Sequence, residues 1–243
     1  MKIFDNTFDN IIGNLILKED KEREIHIPSG KLSASMLGYP LQWQMLKTLG
    51  VPQKPIDEYT LRKFARGIQV ENWAVSKLQK VIVDKQKKVE YRNTSGIVDM
   101  LILHGSQVPI LNKKIIPHEV KSVTNLKFKR IIKNGEADDQ YKLQAGLYAL
   151  ALKSEYYAVD IIATDDLRLI TYIYETKDIK PDIDAIIDQF NSAMIKKAVP
   201  VFTPKYDWQS NPMYNSYPDW ALLNEIEIKE KLNRRQTELV FSK

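Results

Sequence analysis

The chain has 243 residues, 36 Lys and Arg against 31 Asp and Glu, and a formal net charge of +5 at pH 7. That length buries a full core and favours one domain with attached helices over two, and the small basic excess hints at a polyanionic partner without requiring one. With no cysteine in the chain, disulfides, thiolate zinc sites and cysteine-ligated iron–sulfur clusters are excluded. Three histidines, His26, His104 and His118, are too scattered for a histidine-rich metal site. No apolar run approaches the ~18 residues of a membrane span, and the N-terminus lacks a continuous apolar leader. A soluble, intracellular (cytoplasmic) protein with no membrane partner is expected.

Residues 5–20 read as a weak helix with Phe8, Ile11, Ile12, Leu15 and Leu17 among polar residues, followed by an extended piece from Ile25 to Gly30. A helical segment over residues 33–49 carries Pro40 near a first turn, with Leu41, Met45, Leu46 and Leu49 behind it. Residues 51–55 form a stiff Pro-bounded connector. The next helix, over residues 57–79, has a stripe at Leu61, Phe64, Ile68, Glu71, Val75 and Leu78, all at steps of 3 or 4. An acid within an apolar stripe is paired, protonated or metal-bound, or else it is a boundary residue that reaches solvent or meets Arg66 or Lys63.

A hairpin is expected from residues 80–84 and 88–92. Two further strands then carry the most informative residues. In Gly96-Ile97-Val98-Asp99-Met100-Leu101-Ile102-Leu103 an acid sits inside an aliphatic run. In Ile115-Ile116-Pro117-His118-Glu119-Val120-Lys121 the period of two sends Glu119 and Lys121 to one face and Val120 to the other. Two carboxylates and an ammonium can therefore converge. Burying such carboxylates together costs several kcal/mol unless a cation offsets them, and hard oxygen ligands suit Mg²⁺ or Mn²⁺. The bland alternative places Asp99 in a turn and the Glu-x-Lys pair on a solvated face.

Between Lys121 and Gly135, Lys127, Lys129, Arg130 and Lys133 occur with no acid until Glu136. This is either a phosphate-binding segment or a solvated loop. Residues 138–153 predict a helix with Leu143, Leu147 and Leu150 on one flank and Tyr141, Gln144 and Tyr148 on the next, Gln144 and Tyr148 being i and i+4. Residues 157–163 and 168–174 form a second hairpin around Asp165-Asp166. Pro181 opens an amphipathic helix with Ile183, Ile186, Ile187, Phe190 and Met194 inward. Residues 200–219 are irregular and aromatic, and a charged helix runs from Trp220 to about Arg235. There is no internal repeat, Gly-rich phosphate loop or nucleophile motif.

Three of these pieces in order, Gly96-Ile97-Val98-Asp99, Glu119-Val120-Lys121 and Gln144-Ala145-Gly146-Leu147-Tyr148, resemble the G-x-x-D, (D/E)-x-K and Q-x-x-x-Y series of the PD-(D/E)XK nuclease superfamily, RecB-like branch. Arg66-Gly67-Ile68-Gln69-Val70-Glu71 resembles the R-G-x-x-x-H helix of that branch, with Glu71 where many relatives carry a metal-ligating histidine. Ser33-Ala34-Ser35-Met36-Leu37-Gly38-Tyr39-Pro40 resembles the S-x-S-x-L-x-x-C-P element of CRISPR-associated exonucleases, with Tyr39 in place of the cysteine. Residues 200–220 occupy the place of their C-terminal cysteine cluster, so the iron–sulfur cluster of those relatives cannot form. Trp208, Tyr214, Tyr217 and Trp220 suggest that aromatic packing ties the two ends together instead.

The resemblance implies a restriction-endonuclease-like α/β core: a central mixed sheet flanked by helices, with helical N- and C-terminal additions. The parts of that single domain are residues 1–56, a core over 57–197, and 198–243. It implies a deoxyribonuclease dependent on Mg²⁺ or Mn²⁺ and acting on single-stranded or end-exposed DNA. Asp99, Glu119 and Lys121 would be catalytic, and Glu71, Asp99, Glu119 and the Val120 carbonyl would ligate metal. Arg66, Lys127, Lys129, Arg130, Gln144 and Tyr148 would contact DNA. A defence endonuclease on the same scaffold and a non-catalytic DNA-binding protein are the alternatives. Homo-oligomers, recombination or replication partners and a virus-infected host are compatible with the same motifs.

Overall fold

A computed structural model describes residues 7–22 and 30–241. Most of the extended piece expected over residues 25–30 lies outside the described residues, as does His26. A six-stranded mixed sheet carries helices on its faces, a restriction-endonuclease-like arrangement as expected. In chain order the elements are α1 (Thr7–Glu22), β1 (Leu32–Ser33), α2 (Leu41–Thr48), α3 (Glu58–Leu78), β2 (Ile82–Tyr91), β3 (Thr94–Leu103), β4 (Ile115–Val123), α4 (Asn125–Asn134), α5 (Asp139–Leu152), β5 (Tyr156–Ala163), β6 (Leu169–Glu175), α6 (Thr176–Lys196) and α7 (Glu225–Phe241). Among the described residues no helix is long and apolar enough to cross a membrane.

Several expected elements are corrected. Only residues 41–48 of the expected 33–49 helix are α-helical, because Ser33 belongs to β1 and Pro40 caps α2. The hairpin expected inside residues 80–92 is one continuous strand, β2. It turns at Arg92, which adopts φ 53°, and pairs antiparallel with β3. The basic stretch is a helix, α4, whose Thr124 side chain accepts from Lys127 N and whose Phe128 and Ile131 are buried. Gly135 closes α4 at φ 74°, donating to the Ile131 and Ile132 carbonyls, a left-handed cap that glycine adopts without strain. Pro181 sits inside α6 rather than opening it, and the last helix starts at Glu225 rather than Trp220.

The sheet order is β1-β3-β4-β5-β6, with β2 on the other edge of β3. Along the inner edge of β3, Thr94 and Ser95 pair with β1 and residues 100–103 pair with β4, while residues 96–99 pair with neither. Beyond His118, β4 continues as a parallel partner of β5 alone. The two strands part at Asp99, and the opening holds the polar residues described below.

Helix α5 is buried nearly all round. Leu143, Leu147 and Tyr148 face the cluster built with α2, α6 and the C-terminal segment, and Ala145 and Ala149 face Val159 and Ile161 of β5. On the opposite face of the sheet, Val70 and Ala74 of α3 pack on Met100, Ile102, Val120 and Ile162. Phe64 and Ile68 of the expected α3 stripe are about half exposed. The fully buried contact with the sheet is made by Val70 and Ala74, flanked by Trp73 and by Val75 and Leu78 of the expected stripe.

Aromatic residues tie the ends of the chain together. Tyr39 meets Trp43 at 5.9 Å and Trp208 edge-on at 5.8 Å, Trp43 stacks on Phe202 at 5.6 Å, and Trp208 meets Tyr214 at 6.1 Å. Gln209 Nε2 donates to the Gly38 carbonyl at 3.0 Å, and its Oε1 accepts from Lys205 N and Tyr206 N. Tyr217 and Trp220 are buried nearby in the main core.

Candidate active site

Asp99 lies where β3 leaves β4. Its Oδ2 accepts from Val120 N at 2.8 Å, so a side-chain oxygen serves the first peptide N–H past the ladder. Burial raises the Asp99 carboxyl, against the lowering effect of that hydrogen bond and of Lys121. Glu119 and Lys121 leave the same face of β4, as their spacing predicts. Lys121 Nζ stands 2.5 Å from Glu119 Oε1. Glu119 is 2% exposed and its Oε2 has no hydrogen-bond partner among the described residues. Burial pushes its carboxyl up to about 8, with the Asp99 and Glu71 charges adding to the shift and Lys121 opposing it. Burial also works against the Lys121 charge, but Glu119 and Asp99 outweigh it and hold the ammonium above its ordinary value.

Lys121 is positioned from α5 as well. Its Nζ donates to Gln144 Oε1 at 3.2 Å, and Gln144 Nε2 donates to Tyr148 OH at 2.8 Å. The i, i+4 pair thus forms a chain that ends on the lysine. Gly96 makes it possible: a Cβ there would stand 2.6 Å from Tyr148 Cε1 and 2.8 Å from Ala34 Cβ. Burial, followed by the Glu119 charge, raises the Tyr148 phenol, which stays protonated.

Glu71 projects from α3 within electrostatic reach of this centre. Burial raises its carboxyl and Asp99 adds to the shift. Its Oε1 accepts from Gln86 Nε2 at 2.6 Å, a partner on β2 that the sequence reading did not single out. Among the described residues no three His, Cys, Asp or Glu side chains close into a ready-made metal cage. The donor set nevertheless fits a hard divalent cation, since burial raises all three carboxyls, the Asp99 charge adds to the rise of Glu71 and of Glu119, and the buried Glu119 Oε2 has no hydrogen-bond partner among the described residues.

The expected DNA-contact residues divide. Gln144 and Tyr148 join the site. Lys127 Nζ bonds Tyr141 OH at 2.6 Å and Asp138 at 2.8 Å, and Arg130 also pairs with Asp138. Asp138 thus neutralises part of the basic stretch. Lys129 and Arg66 are exposed. Tyr141 reads from the sequence as a helix-flank residue, yet its ring lies 4.7 Å from Lys127 Nζ and 5.5 Å from Lys121 Nζ. Its spacing three residues before Gln144 was the available signal. On the other sheet face, His118 Nδ1 is 2.8 Å from Asp160 Oδ2, His104 and His118 share an Nε2–Nε2 contact of 2.9 Å, and Thr171 donates to Asp160.

No model of a known family matches the chain, and no curated protein matches it in sequence. Solved structures do. The protein SSO0001 is 14% identical over 88% of this chain and 96% of its own, with a TM-score of 0.50. The alkaline exonuclease LHK-Exo of Laribacter hongkongensis is 13% identical over 70% of this chain and 92% of its own, with a TM-score of 0.47. A phage-related exonuclease of Haemophilus somnus is 15% identical over 77% of this chain and 100% of its own, with a TM-score of 0.35. At 14% identity the likeness to SSO0001 is one of fold.

Proposed function

We propose that the protein is a metal-dependent deoxyribonuclease of the PD-(D/E)XK type. The observation that carries this reading is Glu119: a buried carboxylate with one oxygen on Lys121, the other with no hydrogen-bond partner among the described residues, beside a second raised carboxylate, Asp99. A binding module facing a polyanion gains nothing from such an acidic cluster, whereas phosphodiester hydrolysis requires concentrated positive charge that acids of this kind can hold.

Mg²⁺ or Mn²⁺ would be held by Asp99 and Glu119, with Glu71 and the Val120 carbonyl, and would supply charge neutralisation and an acidified water. In hydrolysis a water oxygen forms a bond to phosphorus, the bond from phosphorus to the leaving sugar oxygen breaks, and that oxygen takes up a proton. With no metal bound, Glu119 and Asp99 hold Lys121 as an ammonium, and its part in this reading is to neutralise charge on the phosphate or to orient the water. Gln144 holds Lys121 and is in turn held by Tyr148. Single strands or exposed ends are the substrates this reading favours, and the CRISPR-associated exonucleases are the branch whose motifs it follows.

End-labelled linear DNA and circular single-stranded DNA, incubated with Mg²⁺, Mn²⁺ or EDTA, test the proposal. Metal-dependent loss of the linear strand with survival of the circle is expected. Absence of cleavage with either metal overturns the nuclease reading, and linearisation of the circle replaces the exonuclease with an endonuclease.

A further inference from the structure

A groove of about 1000 Å³ opens beside the site, between the end of α2 with its connector and the β2–β3 hairpin, and closes on Gln144 and Tyr148. Its end therefore lies one hydrogen bond from Lys121. That volume is at the top of the range of about 300–1,000 Å³ for small-molecule sites, enough for several nucleotide units.

The lining is unlike a closed protein surface. Lys47 and Lys88 both face the groove, and neither has an ion pair or side-chain hydrogen bond among the described residues. Glu90, the carboxylate in the groove, is taken by Lys31 at 2.6 Å. Burial lowers the Lys47 ammonium with no nearby carboxylate to offset it, so an incoming anion would relieve the cost. Ile97 of β3 lines the groove and is 45% exposed, an apolar side chain open to it. Ser33 and Ser35 line the same side with hydroxyls 3.0 Å apart.

We propose that this groove binds a single strand of nucleic acid and leads it to Lys121, with Lys47 and Lys88 on the phosphates and the apolar Ile97 against the bases. Single strands expose base faces as well as phosphates, and the groove offers a surface for each; a duplex presents phosphates with its bases stacked away. The inference rests on the nuclease reading for its direction, since the groove is a path only if Lys121 is the chemical end.

The test separates the two. Fluorescence anisotropy in EDTA measures binding of a labelled DNA single strand and of the same strand annealed to its complement, for wild type, Lys47→Glu/Lys88→Glu and Lys47→Arg/Lys88→Arg. The Glu pair should weaken single-strand binding at least about 10-fold and lower the magnitude of the salt slope by about 1.4, at roughly 0.7 per phosphate contact. The Arg pair should restore both, and the duplex should bind weakly to all three. Unchanged single-strand binding, equal loss with the Arg pair, or tighter duplex binding overturns the groove. Wild type that binds in the expected manner but cuts nothing with Mg²⁺ or Mn²⁺ overturns the nuclease reading and leaves the groove standing. Cleavage with an unchanged KM in the Glu pair overturns the groove alone.

Discussion

Glu119 and Lys121 meet at 2.5 Å, yet among the described residues the second oxygen of the same buried carboxylate has no hydrogen-bond partner, although Asp99 and Tyr148 stand close to that carboxyl. A buried ion pair is stable only when its remaining lone pairs are satisfied, so this one is half complete. Each partner also leaves the other exposed to a different penalty. Lys121→Met removes the cation that opposes the rise of the Glu119 carboxyl, so the acid holds its proton to higher pH; Glu119→Gln leaves an ammonium that still has Gln144. Both substitutions should lower the cleavage rate by a factor of about 10² or more, as expected for loss of a group that manages charge in the transition state. In thermal melts the double variant should be more stable than Lys121→Met alone. A Lys121→Met protein that retains cleavage places the chemistry elsewhere.

Asp99 has two jobs that substitution can separate. Asp99→Asn keeps an oxygen for Val120 N–H and removes the charge, so cleavage should vanish while the denaturation midpoint holds or rises. Asp99→Ala also removes the acceptor and leaves a peptide N–H unpaired at the strand opening, a cost of about 1–3 kcal/mol. If the two variants melt together, the carboxylate is not bridging the gap between β3 and β4.

This difference marks what the sequence disclosed. Period-two alternation was enough to place Glu119 and Lys121 together, and helical spacing was enough for Gln144 and Tyr148, because both are local geometry. That Asp99 replaces a ladder acceptor depends on β3 and β4 parting after Met100, a tertiary event with no local signature. Helix α4 was legible in principle: Thr124 at the cap, Phe128 and Ile131 three apart and Gly135 at the stop all fit, but charge was weighed above periodicity. On α3 the expected stripe is half kept: Leu61 is buried and Val75 and Leu78 pack on the sheet cluster, but Phe64 and Ile68 turn outward and Val70 and Ala74 take the fully buried places between.

The raised carboxyls predict a pH dependence of stability without metal. Glu119 rises from the ordinary 4.5 to about 8, so between those values the folded chain keeps a proton that the unfolded chain has released. Stability then falls as pH rises across that window, by up to about 1.4 kcal/mol per unit for this group, and levels off above it. Asp99 and Glu71, also raised, act in the same direction. Urea midpoints between pH 5 and about 8 in EDTA should decline, Glu119→Gln should flatten the decline, and Mg²⁺ or Mn²⁺ should oppose it. A midpoint that climbs with pH in EDTA contradicts the burial of these acids.

Gly96 tests the link between β3 and α5. Gly96→Ala forces Tyr148 and Ala34 apart, since both contacts fall below 3.0 Å, and overpacking of this kind costs about 1–3 kcal/mol. The displaced phenol releases Gln144, so the rate should fall along with stability. In a Tyr148→Leu background the added methyl should cost less, the coupling being read from a double-mutant cycle. Equal costs in both backgrounds would show that Tyr148 does not press on Gly96.

Stability and chemistry should come apart at the aromatic clasp. Gln209 is 1% exposed and satisfies three backbone groups, the Gly38 carbonyl and the Lys205 and Tyr206 amides, so it staples residues 205–209 to the turn before α2. Gln209→Leu fills the space but leaves those groups unpaired, and stability should fall by about 2–4 kcal/mol, less than the sum of three separate losses because the segment can relax toward water. Gln209 itself bonds only backbone groups of residues 38, 205 and 206, none of which is a hydrogen-bond partner of Glu119 or Lys121. Below the lowered melting temperature the rate of cleavage per folded molecule should match wild type, and the chevron should show the loss in the unfolding limb if the clasp forms after the sheet. A Gln209→Leu protein that melts normally means the terminal segments are held by ring packing alone.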